Sequence, residues 1–238
     1  MADLFQNPPP FTFYDRQHLA VFWIGFVALI WLIWSEKRWP ERLPRIQACV
    51  IAVVLFLIFP LNVWIYPQMG FQRPWPMHLC DWAAVTGGLA LLTQRQFLIE
   101  LTYFWAIAGG LNALLTPDVH EGFPHPRFVV FFIHHIAIVA VAVWMTVGMH
   151  RYPRKNAVWK VFGWTQLFVI AAMVINHFTG HNYGFLAFKP DIDHPLLDII
   201  GPWPWYILSL ELVTLIIFLI LDLPWVFVRK FGRRATDA

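Results

Sequence analysis

The sequence predicts an all-α polytopic membrane protein, a bundle of seven transmembrane helices. Three observations carry this: 59% of the 238 residues are hydrophobic, only 13% are charged, and seven separate runs are apolar enough to cross a bilayer. The charged share is about half that of an ordinary soluble domain. A span needs about 20 mostly apolar residues, and the runs fall roughly at 18–34, 46–66, 77–93, 97–115, 127–149, 157–178 and 203–224. No polar linker or low-complexity stretch divides them, so residues 1–238 read as a single integral membrane domain. No internal repeat stands out, which argues against a transporter built from duplicated halves.

Alternating kinds of loop separate the runs. The first, third and fifth loops and the tail are basic: Lys37, Arg38, Arg42, Arg45, Arg95, Arg151, Arg154, Lys155, Lys160, Arg229, Lys230, Arg233 and Arg234. Only Arg16, Arg73, Arg127 and Lys189 fall on the other side. The positive-inside rule then places the N-terminus outside and the C-terminus in the cytoplasm, which requires an odd number of spans. The net charge of +3 is thereby a topology signal, and no nucleic-acid partner is expected. The N-terminus lacks the basic and short apolar regions of a removable signal peptide. The other loops, 67–76, 116–126 and 179–202, are longer and marked by Pro and Gly, and long ordered loops on one face commonly shape a site.

Tryptophans 64, 75, 82, 203 and 205 collect at one set of helix ends and 34, 39, 159 and 225 at the other. Amphipathic rings prefer the headgroup level, so an interfacial belt is the simpler reading than ligand stacking. Cys49 and Cys80 begin helices of opposite direction and cannot pair within a chain. Cys49 reads as a small buried residue.

Chemistry concentrates on the outer side. His18, His78, His120, His125, His134, His135, His177, His181 and His194 all lie there or in that leaflet, leaving His150 inside. Ionisable groups within spans are costly and face an interior cavity, which singles out His134, His135 and Glu211. Pro76 offers a first helical position, so Cys80 falls about 6 Å along the axis near the positive end of the helix dipole. A thiol there ionises more readily unless apolar burial opposes it. His135 lies about 13 Å in from Pro126, Glu211 about 12 Å from Trp203, and Cys80 about 7 Å shallower, a gap that tilt and side-chain reach can close. A thiol, an imidazole to take its proton and a carboxylate to orient the imidazole form a nucleophilic constellation. His134 and His135 diverge by about 100°, so one of them faces a given partner, with His135 favoured.

Further polar groups gather at the outer ends as candidate substrate contacts. His78 and Asp81, three apart, can face each other on a helix, a pairing that is more often structural. Asn112, Asn176 and Asn182 can donate to a developing oxyanion, Tyr183 adjoins them, and Lys189 can hold a phosphate. Thr116 and Gly180 read as ordinary helix caps.

The strings His78-Leu79-Cys80, Leu114-Leu115-Thr116-Pro117-Asp118, Phe131-Phe132-Ile133-His134-His135, Asn182-Tyr183-Gly184-Phe185-Leu186 with Lys189-Pro190, and Gly201-Pro202-Trp203-Pro204-Trp205-Tyr206 resemble the bacterial YwaF-type integral membrane proteins. That family is similar to a vertebrate seven-helix acyltransferase that moves fatty acyl chains onto ether phospholipids with a cysteine and a histidine. The resemblance implies Cys80 as nucleophile, and His135 or else His134 as base. It also implies membrane phospholipids or lysophospholipids as partners; no cofactor is expected, and the apolar runs place the protein in the cell membrane.

Two other classes stay open. His177 and His181, four apart, have a ligand spacing, and with His78 and Asp81 would make a zinc-dependent lipid hydrolase, although Gly180 argues against a helix continuing through His181. A transport or binding protein for a small amphiphile would instead use the histidines as proton carriers.

Overall fold

The computed structural model describes residues 8–40, 42–72, 74–188 and 202–236, with side chains described up to Lys230. Among these residues the chain is helical, with one isolated antiparallel bridge between Pro10 and Glu121. Seven helices follow in order: α1 Arg16–Arg38, α2 Arg42–Gln68, α3 Leu79–Thr93, α4 Gln96–Leu115, α5 Pro126–Gly148, α6 Ala157–Thr179 and α7 Trp205–Thr236. All but α3 are long and apolar enough to cross a membrane, which makes the chain a multi-pass integral membrane protein.

The local reasons are visible at the ends. Asp15 caps α1, its carboxylate accepting from the His18 N–H at 2.9 Å. His125 caps α5 in the same way, its Nδ1 accepting from Arg127 N–H at 3.2 Å, with Pro126 at the first helical position as expected. Gly180, at φ +71°, ends α6 before His181. Pro76 does not open α3. It lies in a preceding segment tied back by the Trp82 indole N–H, which donates to its carbonyl at 3.0 Å, and the helix begins at Leu79. Gln94, at φ +54°, closes it. Fifteen residues reach about 22 Å, short of the ~30 Å hydrocarbon layer.

The chain forms two compact units, 1–76 with 80–152 and 77–79 with 153–238. In the first, α5 packs against α1, α2 and α4. Glycine lets α3 join them: Gly87 lies against Thr102 of α4, Leu55 of α2 and Val141 of α5, and Gly88 lies against the Phe56 ring. The Thr86 and Thr102 hydroxyls meet at 3.2 Å across α3 and α4. Both α4 and α5 contain π-helical turns, at Ala106–Leu111 and Trp144–Gly148. In the second unit α6 packs on α7, and a 3-10 turn, Tyr183–Phe185, returns onto α6.

Two sequence expectations are corrected. Cys49 is exposed: Pro44, Ala48 and Ala52 form the buried row of α2, and the next residue along turns away from it. Trp225 is buried, whereas Trp34, Trp39, Trp64, Trp75, Trp159, Trp203 and Trp205 are exposed as a belt requires.

Candidate functional site

Cys80 is the second residue of α3, and its backbone carbonyl meets His134 Nε2 at 3.0 Å. A carbonyl only accepts, so the imidazole donates there and carries its proton on Nε2. His134 is the ninth residue of α5, about 12 Å along that helix, while Cys80 is about 1.5 Å into α3. The start of α3 is therefore set about 10 Å further along α5 than the start of α5 itself. That offset closes the depth gap expected between Cys80 and the histidine pair.

The first turn of α3 carries backbone N–H groups without intrahelical partners, and the Cys80–His134 contact sets that turn beside the histidine pair. Cys80 and Asp81 sit in that first turn, Cys80 half-buried and Asp81 buried. Backbone donors of this kind suit developing negative charge on an oxygen.

His135 is held differently. Its Nδ1 donates to the Phe131 carbonyl of its own helix at 2.7 Å, and its ring lies against Phe131 at 4.2 Å between centroids, tilted by 39°. With the proton on Nδ1, Nε2 bears the lone pair, the form a general base requires. The two imidazoles are 4.8 Å apart at their centroids and both are buried. His134 thus reaches across to the start of α3, whereas the Nδ1 bond of His135 stays within its own helix.

Glu211 belongs to the second unit, on α7, where its carboxylate accepts from the Gln166 side-chain N–H of α6 at 2.6 Å. Also in that unit, Tyr183 lies between two imidazoles, stacked on His181 at 5.2 Å with an interplanar angle of 11° and edge-on to His78 at 5.0 Å. Asn176 holds Tyr183 in place: its Nδ2 donates to the Tyr183 carbonyl at 3.0 Å, and its Oδ1 accepts from the Tyr183 N–H at 2.7 Å. Asn182 does the same for the following loop, accepting from Ala187 and Phe188 and donating to the Phe188 carbonyl. Both amides therefore serve loop backbone. Asn112 is exposed on α4, and Lys189 lies outside the described residues.

His177 is exposed on α6, and the helix stops before His181, so these two do not share a helical face. Among the described residues no three His, Cys, Asp or Glu side chains are grouped to hold a metal.

Sequence reasoning passed over two polar groups. Glu100 is fully buried in α4, and its signal was a lone carboxylate inside the span at 97–115. Gln166, the partner of Glu211, gave no signal, because an amide in a span carries no charge to draw notice.

An uncharacterized protein of Treponema pallidum (strain Nichols) is 27% identical over 194 residues, covering 78% of this chain and 79% of that one. No solved structure matches. The TMEM164 family profile matches residues 13–222, well over half of the sequence, and the chain belongs to the TMEM164 family.

Proposed function

We propose that this protein is a membrane-embedded lipid acyltransferase or acyl hydrolase in which Cys80 attacks a phospholipid ester and His135 manages the proton. The observation that carries the reading is the 3.0 Å contact between His134 Nε2 and the Cys80 carbonyl, which ties the cysteine's helix turn to the histidine pair. The steps balance as follows. As Sγ bonds to the ester carbonyl carbon, its proton passes to His135 Nε2, and the oxygen anion that forms faces the first N–H groups of α3. Collapse breaks the bond to the glycerol oxygen, which takes the proton from His135 and leaves as lysophospholipid. The hydroxyl of a second lysophospholipid, or water, then attacks the thioester, giving its proton back through His135 to the sulfur.

Asp81 and Asn112, of the same unit as Cys80, enter this reading as contacts to the lipid headgroup. The basic loops support placing the N-terminus outside and the reaction near the outer leaflet.

The test uses purified full-length protein in detergent with phosphatidylcholine labelled in its acyl chain. The wild type acquires protein-bound label that hydroxylamine releases, and it passes label to added lysophospholipid. Cys80→Ala acquires none. Equal acyl turnover by Cys80→Ala removes the mechanism.

A further inference from the structure

Within the first unit an apolar groove of about 170 Å³ lies between α1, α4 and α5, and the chemistry described above leaves it unused. Val21 and Leu114 form its buried floor. Phe26 and Leu111 are exposed at its rim. Both rim residues are exposed on helices that are long and apolar enough to cross a membrane, so the groove opens toward lipid.

Two backbone features shape it. Gly25 leaves the wall open where a Cβ would meet Ile136 Cγ1 at 3.3 Å. Leu111 ends the π-helical turn Ala106–Leu111, a widened turn of the kind that gathers at functional sites. The groove also has a direction. Ile136 and Val139 line it, and His135, four residues before Val139, lies on the same stripe of α5.

The lining decides the occupant. Only Val, Phe, Gly, Leu, Ile and Ala side chains face the space, so water there would lack polar partners. Apolar cavities of about 150 Å³ stay dry and take a six-carbon ring, so this one accommodates a comparable length of hydrocarbon. A helix from a second copy is about 10 Å across and too wide to enter. A single lipid tail fits, and it surrounds the opening at high concentration.

We infer that this groove holds the acyl chain that is transferred, with the ester end toward His135. That the bound chain is the transferred one rests on the acyl-transfer reading; that the groove takes a lipid tail does not.

The experiment reconstitutes the full chain in vesicles of phosphatidylcholine containing a tracer whose acyl chain carries a mid-chain diazirine, followed by illumination and peptide mass spectrometry. Labelling is expected to concentrate on peptides containing residues 21–29, 111–114 and 136–140. Leu111→Trp, which fills the rim, and Gly25→Phe, which fills the wall, lower that labelling about tenfold, while Ile170→Phe on the exposed face of α6 leaves it unchanged. Leu111→Trp keeps the test valid where Gly25→Phe fails to fold. Even labelling across the exposed helices, indifferent to both substitutions, overturns the groove. Cross-links between copies at these peptides overturn it in favour of self-association. Full turnover by Leu111→Trp with its labelling lost overturns the claim that the bound chain is the one transferred. Cys80→Ala separates the two readings: labelling retained with turnover unchanged removes the thiol mechanism and leaves a lipid site.

Discussion

His134 Nε2 donates to the carbonyl of Cys80 across 3.0 Å, joining the ninth residue of α5 to the first turn of α3. Its neighbour His135 donates instead to its own helix, through Nδ1. The roles of the two imidazoles should separate on substitution. His134→Leu loses the hydrogen bond to the Cys80 carbonyl and should lower unfolding free energy by about 1 kcal/mol or more, with a partial loss of acyl turnover. His135→Leu should lower turnover by about 10²- to 10⁴-fold, the usual worth of a general base, at similar stability. Urea titration in mixed micelles and the labelled-lipid assay read the two quantities. An inactive His134→Leu beside an active His135→Leu would reverse the assignment.

The glycines predict a contrast in stability. A Cβ at Gly122 would sit 2.7 Å from the backbone oxygen of Pro10, in the loop where Gly122 N–H also donates to the Pro9 carbonyl at 2.6 Å. Backbone cannot swing aside, so Gly122→Ala should cost about 1–3 kcal/mol and loosen residues 8–15, seen as faster proteolysis there. At Gly88 the contact is the Phe56 ring at 2.7 Å, a side chain at the exposed edge of α2 that can rotate outward. Gly88→Ala should cost less than Gly122→Ala in the same thermal melts. The reverse order would show that the helix packing is the stiffer of the two.

Much of the fold was legible because bilayer-crossing helices need long apolar runs, and the six long helices fall close to the runs read from the sequence. The third run misled in one respect. Pro76 looked like a helix start, but the Trp82 indole, six residues on, bonds its carbonyl in a segment before the helix, a side-chain tie that the proline's position does not signal. The histidine pair was legible as polar groups in hydrocarbon. The offset of α3 against α5 was not, because it is seen only in the contact between His134 and the Cys80 carbonyl, residues far apart in sequence. Asn176 and Asn182 carried the right chemistry for oxyanion donors, yet their amides hold loop backbone, which residue type alone does not distinguish.

Gln166 and Glu211 should behave as a coupled pair. The amide N–H donates to a half-buried carboxylate at 2.6 Å, linking α6 to α7. Gln166→Leu strips the carboxylate of that donor and should destabilise by about 1–3 kcal/mol, whereas the double variant Gln166→Leu with Glu211→Leu should recover part of the loss. A double-mutant cycle on thermal or urea unfolding measures the coupling, and additive effects would show that the contact contributes nothing.

The loop before α5 predicts a pH dependence of stability. Arg127 binds the Glu121 carboxylate at 3.0 Å and the Asp118 carbonyl at 3.0 Å, while His125, fully buried, accepts the Arg127 N–H through Nδ1. Burial holds the His125 imidazole below its ordinary value; Glu121 opposes the shift and Arg127 adds to it. The unfolded chain therefore binds a proton at higher pH than the folded one, and stability must rise with pH across the interval between the two values. The contribution is fully present above the ordinary histidine value of about 6.5 and is lost as pH falls through the lower native value. Protonation also converts Nδ1 from acceptor to donor, removing the α5 cap. Asn caps helices without titrating in this range. Melting temperatures of the wild type should accordingly fall on acidification below about pH 6.5, and those of His125→Asn should fall less over the same interval. Parallel pH profiles for the two proteins would place the acid sensitivity elsewhere in the chain.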